Sequence, residues 1–194
     1  MSLNENSSRE EILKFLEKGP FYFLLDFSDK PWAEPYIDEA AKRAVKEDPI
    51  DFLDSFPDEP WVQPYIDEAA KRAARESPYN FLNNFSDKTW AQTHLDKAVR
   101  EVAKKNPFYF LRNFSHRPWA QRYIDEAAKI YAKDNPLQFL IHFSNKPWAQ
   151  RYIDEAAKIY AKVDPKYFLE NFANRFPQYI NSALFALGSE NEAK

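Results

Sequence analysis

The chain has 194 residues, of which 44% are hydrophobic and 17% aromatic, with two glycines, fourteen prolines and no cysteine. Two glycines are too few for a phosphate-binding loop, a dinucleotide fingerprint or a nucleophile elbow, and a chain without cysteine forms no disulfide or thiolate metal site. The formal net charge of −3 gives no overall attraction for nucleic acid or anionic lipid.

The N-terminal residues predict a short tail and a capping helix. Residues 1–8 are polar, lack the layout of a signal peptide and are interpreted as a flexible tail. The pattern from Ser8 to Glu11 is a capping box, which predicts an N-terminal capping helix over 9–19 with Gly19 as its left-handed stop. Because no segment reaches the ~18 apolar residues of a membrane span, we expect a cytoplasmic protein without a membrane contact.

A repeat of 29 residues fills most of the chain. Each unit begins at a proline, which we number position 1, and carries Phe, Leu and Phe at positions 4, 5 and 8. The tryptophan at position 13 recurs as Trp32, Trp61, Trp90, Trp119 and Trp148. We predict five complete repeats over 20–48, 49–77, 78–106, 107–135 and 136–164, a degenerate C-terminal capping repeat over 165–188 and a flexible tail over 189–194.

Each repeat predicts two helices. A short first helix opens at the proline and buries positions 4, 5 and 8, and a second helix has an apolar stripe at positions 13, 17, 18, 21 and 22. Prolines at position 16, Pro35 and Pro64, predict a separate turn over positions 12 to 15. Arg122 and Arg151 replace them, so the second helix is expected to begin a turn earlier there. The predicted N-caps are Asp48, Ser77, Asn106, Asn135 and Asp164.

One repeat encloses too little volume to bury its own apolar stripe, so neighbouring repeats must share a core. We therefore expect an all-α fold, an α–α superhelix or right-handed α-solenoid of tandem 29-residue helix-turn-helix repeats, with the tryptophans in its core. The stretch from Pro118 to Lys133 recurs unchanged from Pro147 to Lys162, which indicates duplication within the chain.

The repeat resembles the helical-hairpin classes TPR and HEAT, including the shorter HEAT-like repeats of the phycobilisome-lyase kind. An early tryptophan, a later tyrosine, small alanines and a boundary proline are shared with TPR. The unit is shorter than the 34 residues or so of TPR and has no internal glycine, and the Asp-Pro-x-Val-Arg opening of HEAT-like repeats survives only as Asp48-Pro49 and Asp164-Pro165. The resemblance is one of architecture, without a specific family, and implies a binding scaffold without catalysis.

Positions 3, 6 and 7 of the first helices share one face and differ strongly between repeats. Their amide, carboxylate and tyrosine groups favour recognition of an extended peptide or a protein surface, although unconstrained solvent positions would vary in the same way. The predicted partner-binding residues are Tyr22, Leu25, Asp26, Asp51, Asp54, Asn80, Asn83, Asn84, Tyr109, Arg112, Asn113, Gln138, Ile141, His142, Tyr167 and Glu170.

Two alternative functions stay open. The first is a structural spacer, which the near-identity of repeats four and five favours, or a self-assembling module with Leu184, Phe185 and Leu187 as the homo-oligomer contact, unless these apolar side chains fold under the last repeat. A weak single-stranded nucleic-acid binder is the second alternative. Nucleic acid is the less expected partner because acidic residues interrupt the variable face. The locally basic residues around the fourth repeat are Lys104, Lys105, Arg112, Arg117, Arg122, Lys129 and Lys133.

We expect no enzyme activity, no cofactor and no metal. Carboxylate pairs recur in every complete repeat but one, which is unlike a single tuned acid–base site. His94, His116 and His142 occupy different repeat positions, although the last two lie in successive repeats where they can approach each other. An aspartate at position 19 allows a structural ladder between repeats, and it occurs as Asp38, Asp67, Asp96, Asp125 and Asp154.

Overall fold

The computed structural model describes residues 3–57 and 59–192, with side chains described up to residue 188. Of these residues 83% are helical and none lies in a strand. The helices are α1 Arg9–Lys18, α2 Pro20–Phe27, α3 Glu34–Glu47, α4 Pro49–Ser55, α5 Gln63–Glu76, α6 Pro78–Phe85, α7 Gln92–Lys105, α8 Pro107–Phe114, α9 Gln121–Asp134, α10 Pro136–Phe143, α11 Gln150–Val163, α12 Pro165–Asn171 and α13 Ile180–Glu192. The predicted all-α architecture of tandem helical hairpins is confirmed.

Every first helix is joined to its second helix through a short 3₁₀ turn. These turns are Pro31–Ala33, Pro60–Val62, Thr89–Ala91, Pro118–Ala120, Pro147–Ala149 and Pro177–Tyr179. The first helices are therefore α2, α4, α6, α8, α10 and α12, and the second helices are α3, α5, α7, α9, α11 and α13. The separate turn predicted ahead of the second helix is confirmed.

The chain divides into two compact units, Met1–Val99 and Arg100–Lys194. In the first unit α2 packs on α3 and α4 packs on α5, and the second helices α3 and α5 lie against each other. In the second unit α8 packs on α9, α10 on α11 and α12 on α13, while α11 contacts both α9 and α13. Within each unit these hairpins thus bury their apolar faces between their own two helices and against a neighbouring hairpin.

The centre of each repeat is the phenylalanine at position 4, which is fully buried in all six repeats: Phe23, Phe52, Phe81, Phe110, Phe139 and Phe168. The tryptophans, expected in the core, are only half-buried. The indole of Trp119 packs on Phe114 with ring centroids 5.5 Å apart, and Trp32 packs on Phe27 at 5.2 Å. Because the 3₁₀ turn holds each indole at the end of its hairpin, the tryptophans cover the rim of the core.

The N-terminal capping box is confirmed. Ser8 N donates to Glu11 Oε2 over 2.8 Å, and Glu11 N donates to Ser8 Oγ over 3.3 Å. The left-handed stop at Gly19 is wrong, because this residue has φ −164° and ψ 66°. A Cβ there would lie 3.2 Å from Tyr22 Cδ2, so close packing of the tyrosine ring favours glycine at this junction. In the segment predicted as a tail, Leu3 is buried.

Two further expectations about helix ends are corrected. Asp48 caps α4 through its side chain and Asp164 caps α12, but the side chains of Ser77, Asn106 and Asn135 make no such bond. Each of these three residues also ends the preceding helix, and its ψ of about 60° is less extended than the 155° of Ser8. Asp48 and Asp164 also end the preceding helix, at ψ 92° and 77°, and their carboxylates nevertheless accept from backbone N–H groups of the next turn.

The second helices of the fourth and fifth repeats do not begin a turn earlier. Helix α9 begins at Gln121 and α11 at Gln150, at the same repeat position as α3 and α5. Gln121 Nε2 donates to the carbonyl oxygens of Ser115 and Arg117, at 2.8 and 3.4 Å, which holds the turn in place. Proline is tolerated at position 16 because it lies in the first helical turn. No helix within the described residues is long and apolar enough to cross a membrane.

Candidate functional site

The variable positions of the first helices are exposed within each unit, and we call them together the first-helix face: positions 3, 6 and 7 of α2, α4 and α6 in the first unit and of α8, α10 and α12 in the second. Every residue at these positions is exposed except Asn113, which is half-buried. Large apolar side chains also emerge from the first helices, namely Tyr22, Leu25, Tyr79, Tyr109, Ile141 and Tyr167, with exposed fractions between 38% and 66%. The sixteen residues predicted for partner binding thus lie on the surface or at its edge.

The second helices present a different surface. Their exposed faces carry charged residues that pair along the helix, such as Lys42 with Asp38 at 2.8 Å and Arg43 with Glu39 at 2.6 Å. From α3 to α11 the second helices expose one large apolar side chain among the described residues, Val163 at the end of α11. Apolar exposure therefore concentrates on the first helices.

The aspartates at position 19 form the predicted ladder between repeats. Tyr65 Oη donates to Asp38 Oδ1 over 2.7 Å, and His94 Nε2 lies 2.9 Å from Asp67 Oδ1. Burial, followed by the hydrogen bond to Asp38, raises the pKa of Tyr65 to about 12. In the second unit Gln178 Nε2 donates to Asp154 Oδ1 over 3.1 Å. The first two pairs join consecutive second helices, the third joins α11 to the 3₁₀ turn ahead of α13, and all three are structural.

A cleft lies between the C-terminal ends of two first helices in the second unit, and we call it the α8–α10 cleft. Its volume is about 360 Å³. The residues that line it are Phe108, Leu111, Arg112, Ser115, His116, His142, Phe143 and Lys146. His116 and His142, expected to approach each other from successive repeats, face this common cleft. Arg112 and His142 belong to the first-helix face, so the cleft is continuous with it.

The ring of Phe108 connects the two sides of the cleft. Arg112 Cζ lies 5.8 Å from the centroid of this ring, and the His142 ring centroid lies 5.2 Å from it. No acidic side chain lines the cleft. Among the described residues no three His, Cys, Asp or Glu side chains are grouped to hold a metal ion. The cleft is thus suited to a ligand that accepts hydrogen bonds and carries negative charge.

The basic residues around the fourth repeat do not converge on this cleft. Of the seven, Arg112 alone lines it. Lys105 pairs with Glu101, and Arg122 Cζ lies over the ring of Tyr123 at 4.9 Å. The positive charge that the sequence shows in this region is therefore distributed over several elements.

The C-terminal helix α13 is partly uncovered. Ala183 is buried and Leu187 half-buried, whereas Leu184 is 51% and Phe185 80% exposed. Two of the three predicted oligomer residues thus lie on the surface. Residues 193–194 of the predicted C-terminal tail lie outside the described residues, and α13 itself extends to Glu192.

Comparison of the chain with protein-family models, with curated proteins and with solved structures gives no match. The helical-repeat architecture is therefore established by the packing of the hairpins, and the candidate site is interpreted from its own geometry.

Sequence reasoning missed two groups of residues. His116 and Lys146, which line the cleft, stand at positions 10 and 11, just beyond the first helices, and were not among the predicted site residues. Three of the glutamines at position 15 hold the turns, since Gln92 Nε2 donates to Ser86 O over 3.0 Å, as Gln121 does to Ser115 and Gln150 to Ser144. Their recurrence in four repeats was a signal for this role.

Proposed function

We propose that the chain is a non-catalytic scaffold, related in architecture to TPR- and HEAT-like repeats, that binds an extended peptide or a protein segment on the first-helix face. The observation that carries this proposal is the unequal distribution of exposed apolar side chains. Tyrosines at 40% to 66% exposure recur on the first helices, namely Tyr22, Tyr109 and Tyr167. Exposed tyrosines supply a large amphipathic contact area, which is typical of recognition surfaces.

The alternation of tyrosine with amide and carboxylate groups supports an extended ligand. Asn80, Asn83 and Asn84 on α6 offer both donors and acceptors, and Asp51 and Asp54 on α4 offer acceptors. An extended peptide backbone needs both kinds of partner at a regular spacing. The first-helix face supplies them once per repeat.

Site-specific photo-crosslinking tests the proposal. A photoreactive phenylalanine derivative replaces Tyr22 or Tyr109 on the first-helix face, or Lys71 or Lys129 on the second helices as matched exposed controls. After irradiation in cell lysate, we expect the two tyrosine positions to capture the same protein and the lysine positions to capture none of it. Equal capture from both surfaces, or none from either, would refute the proposal.

A triple variant gives an independent measurement. With the photoreactive residue placed at the exposed Asn83 instead, changing Tyr22, Tyr109 and Tyr167 to alanine should abolish capture while leaving the melting temperature within a few degrees of the parent, since the three tyrosine side chains are exposed. The matched control changes three exposed second-helix lysines, Lys71, Lys129 and Lys158, to alanine. Retained capture in the triple tyrosine variant would contradict the assignment of the binding surface.

A second candidate function is self-assembly through α13. The observation that favours it is the 80% exposure of Phe185 beside the 51% exposure of Leu184. Sedimentation over a wide range of concentration should then show a mass that rises in the parent and stays monomeric in a Leu184→Glu/Phe185→Glu variant. A monomer at every concentration would refute this candidate.

A further inference from the structure

Four side chains that can carry positive charge line the α8–α10 cleft. Arg112 and His116 come from the fourth repeat, and His142 and Lys146 from the fifth. Within the residues that the structure describes, none of the four side chains contacts a carboxylate, and their charge is not neutralised by a partner in the chain. Unneutralised donors that converge on a concave surface create a local field that attracts anions.

Comparison between repeats shows that Arg112, His116 and His142 have no counterpart in the other complete repeats, whereas the position of Lys146 is basic in four of the five. Position 6, occupied by Arg112 in the fourth repeat, is Leu25, Asp54, Asn83 or Ile141 in the other complete repeats. The partial negative charge at a helix C-terminus favours cations near every such helix end. Because the other repeats have apolar, acidic or amide residues at position 6, the helix dipole does not account for Arg112.

Two of the donors pack on the same ring, that of Phe108. The guanidinium of Arg112 and the imidazole of His142 contact this ring from two repeats, with 5.8 and 5.2 Å to its centroid. A guanidinium presents paired N–H donors that match the oxygens of a phosphate or a carboxylate. Ser115 adds a hydroxyl on the same lining. The cleft therefore offers several donors to one oxyanion.

We propose that the α8–α10 cleft binds the anionic group, phosphate or carboxylate, of a peptide that lies on the first-helix face. The peptide source of the anion depends on the function proposed above. Nucleic acid is less favoured, because the first-helix face carries Asp26, Asp51 and Asp54 in the first unit and a single permanent cation, Arg112, in all.

Anion titration followed by NMR tests the cleft without a partner protein. Inorganic phosphate and glutarate are added separately to the full chain, and to two variants of equal charge. The first variant, Arg112→Gln/Lys146→Gln, removes cations from the cleft. The second, Lys129→Gln/Lys158→Gln, removes two exposed lysines from the second helices α9 and α11. Circular dichroism checks that both variants fold.

We expect saturable chemical-shift changes confined to residues 107–116 and 136–146, weakened tenfold or more in the first variant and unchanged in the second. Whichever of the two probes binds with the higher affinity identifies the anion as phosphate or carboxylate. Equal affinity in both variants, or shifts spread over all basic surfaces, would overturn the proposal.

Two more measurements separate this inference from the function on which it rests. A short single-stranded oligonucleotide could bind the cleft far more tightly than phosphate, with an affinity that falls steeply as salt is added. In that case the anion belongs to nucleic acid and the peptide assignment is wrong. If the cleft binds the anion but the crosslinking experiment fails, the proposed peptide-binding face is refuted, and so is the peptide as the source of the anion. Intact crosslinking without anion binding refutes the cleft alone.

Discussion

The phenolic oxygen of Tyr65 donates a hydrogen bond to Asp38 Oδ1 over 2.7 Å, joining position 17 of the second repeat to position 19 of the first. Asp38 also accepts a hydrogen bond from Lys42 at 2.8 Å on its own helix. One repeat further along, His94 takes the place of the tyrosine and lies 2.9 Å from Asp67. The residue at position 17 thus connects consecutive second helices, whether its side chain carries a phenol or an imidazole.

Tyr65→Phe removes this hydrogen bond and little else, so we expect the free energy of unfolding to fall by about 0.5–1.5 kcal/mol. Tyr36→Phe is the matched control, because Tyr36 holds position 17 of the first repeat and its hydroxyl makes no hydrogen bond among the residues that the structure describes. Urea denaturation measures both variants. If Tyr65→Phe and Tyr36→Phe have the same effect, the ladder contributes nothing to stability.

High pH should lower the free energy of unfolding, because two tyrosines ionise. Burial, with the hydrogen bond to Asp38, raises the pKa of Tyr65 to about 12, and burial, with the charge of Asp164, raises the pKa of Tyr160 to about 12. The ordinary tyrosine pKa is 10.0, so between these values the folded chain binds more protons than the unfolded chain. This stabilisation is complete below pH 10 and is lost as the pH rises through about 12.

Ultraviolet absorbance of the phenolates and urea midpoints across this pH range test the expectation. A Tyr65→Phe/Tyr160→Phe variant should lose stability less steeply with pH than the parent. If all tyrosines of the folded chain ionise together near pH 10 while the helices persist, the raised pKa values are wrong.

Within the fourth repeat, the central phenylalanine should matter more for stability than the tryptophan. Phe110 is fully buried, so Phe110→Ala should cost about 3–5 kcal/mol. Trp119 is half-buried, and Trp119→Ala should cost less. Trp119→Phe should cost least, because the indole N–H has no hydrogen-bond partner among the described residues. Denaturation by urea ranks the three variants, and a larger loss for Trp119→Ala than for Phe110→Ala would contradict the order.

The glutamine that holds the turn should not be replaceable by its acid. Gln121→Glu loses the two N–H donations to Ser115 and Arg117 and sets a carboxylate against their carbonyl oxygens. We expect a loss of about 0.5–1.5 kcal/mol in the free energy of unfolding. Gln138→Glu makes the same chemical change at an exposed position of the first-helix face and serves as the control. Equal effects at both positions would show that the turn does not depend on these bonds.

Helix order and most boundaries were predictable because proline, phenylalanine and tryptophan recur in a constant register. The capping box of α1 was also predictable, because its residues are close in sequence. The contacts across repeats were less accessible. Tyr65 and Asp38 are 27 residues apart, two fewer than the repeat length. This difference depends on the axial offset between neighbouring second helices, which the period of the repeat does not determine.

The candidate site was predictable in part. Variation at positions 3, 6 and 7 located an exposed face, but His116 and Lys146 were not assigned to it because they follow the first helices, and Lys146 stands at a position that is basic in most repeats. Their meeting with Arg112 depends on the packing of two hairpins. Sequence variation therefore indicated which helices carry the surface, while the cleft required the structure.

The single-residue junctions between repeats also restrict how this chain can change its length. Asp48 N donates to Ala44 O, and Phe52 N donates to Asp48 O, so one residue takes part in the backbone hydrogen bonding of two helices. One extra residue at such a junction has no loop to absorb it, and inserted within a helix it would turn the following side chains by about 100°. Lengthening by whole 29-residue units avoids this cost, as the identical stretches of the fourth and fifth repeats show.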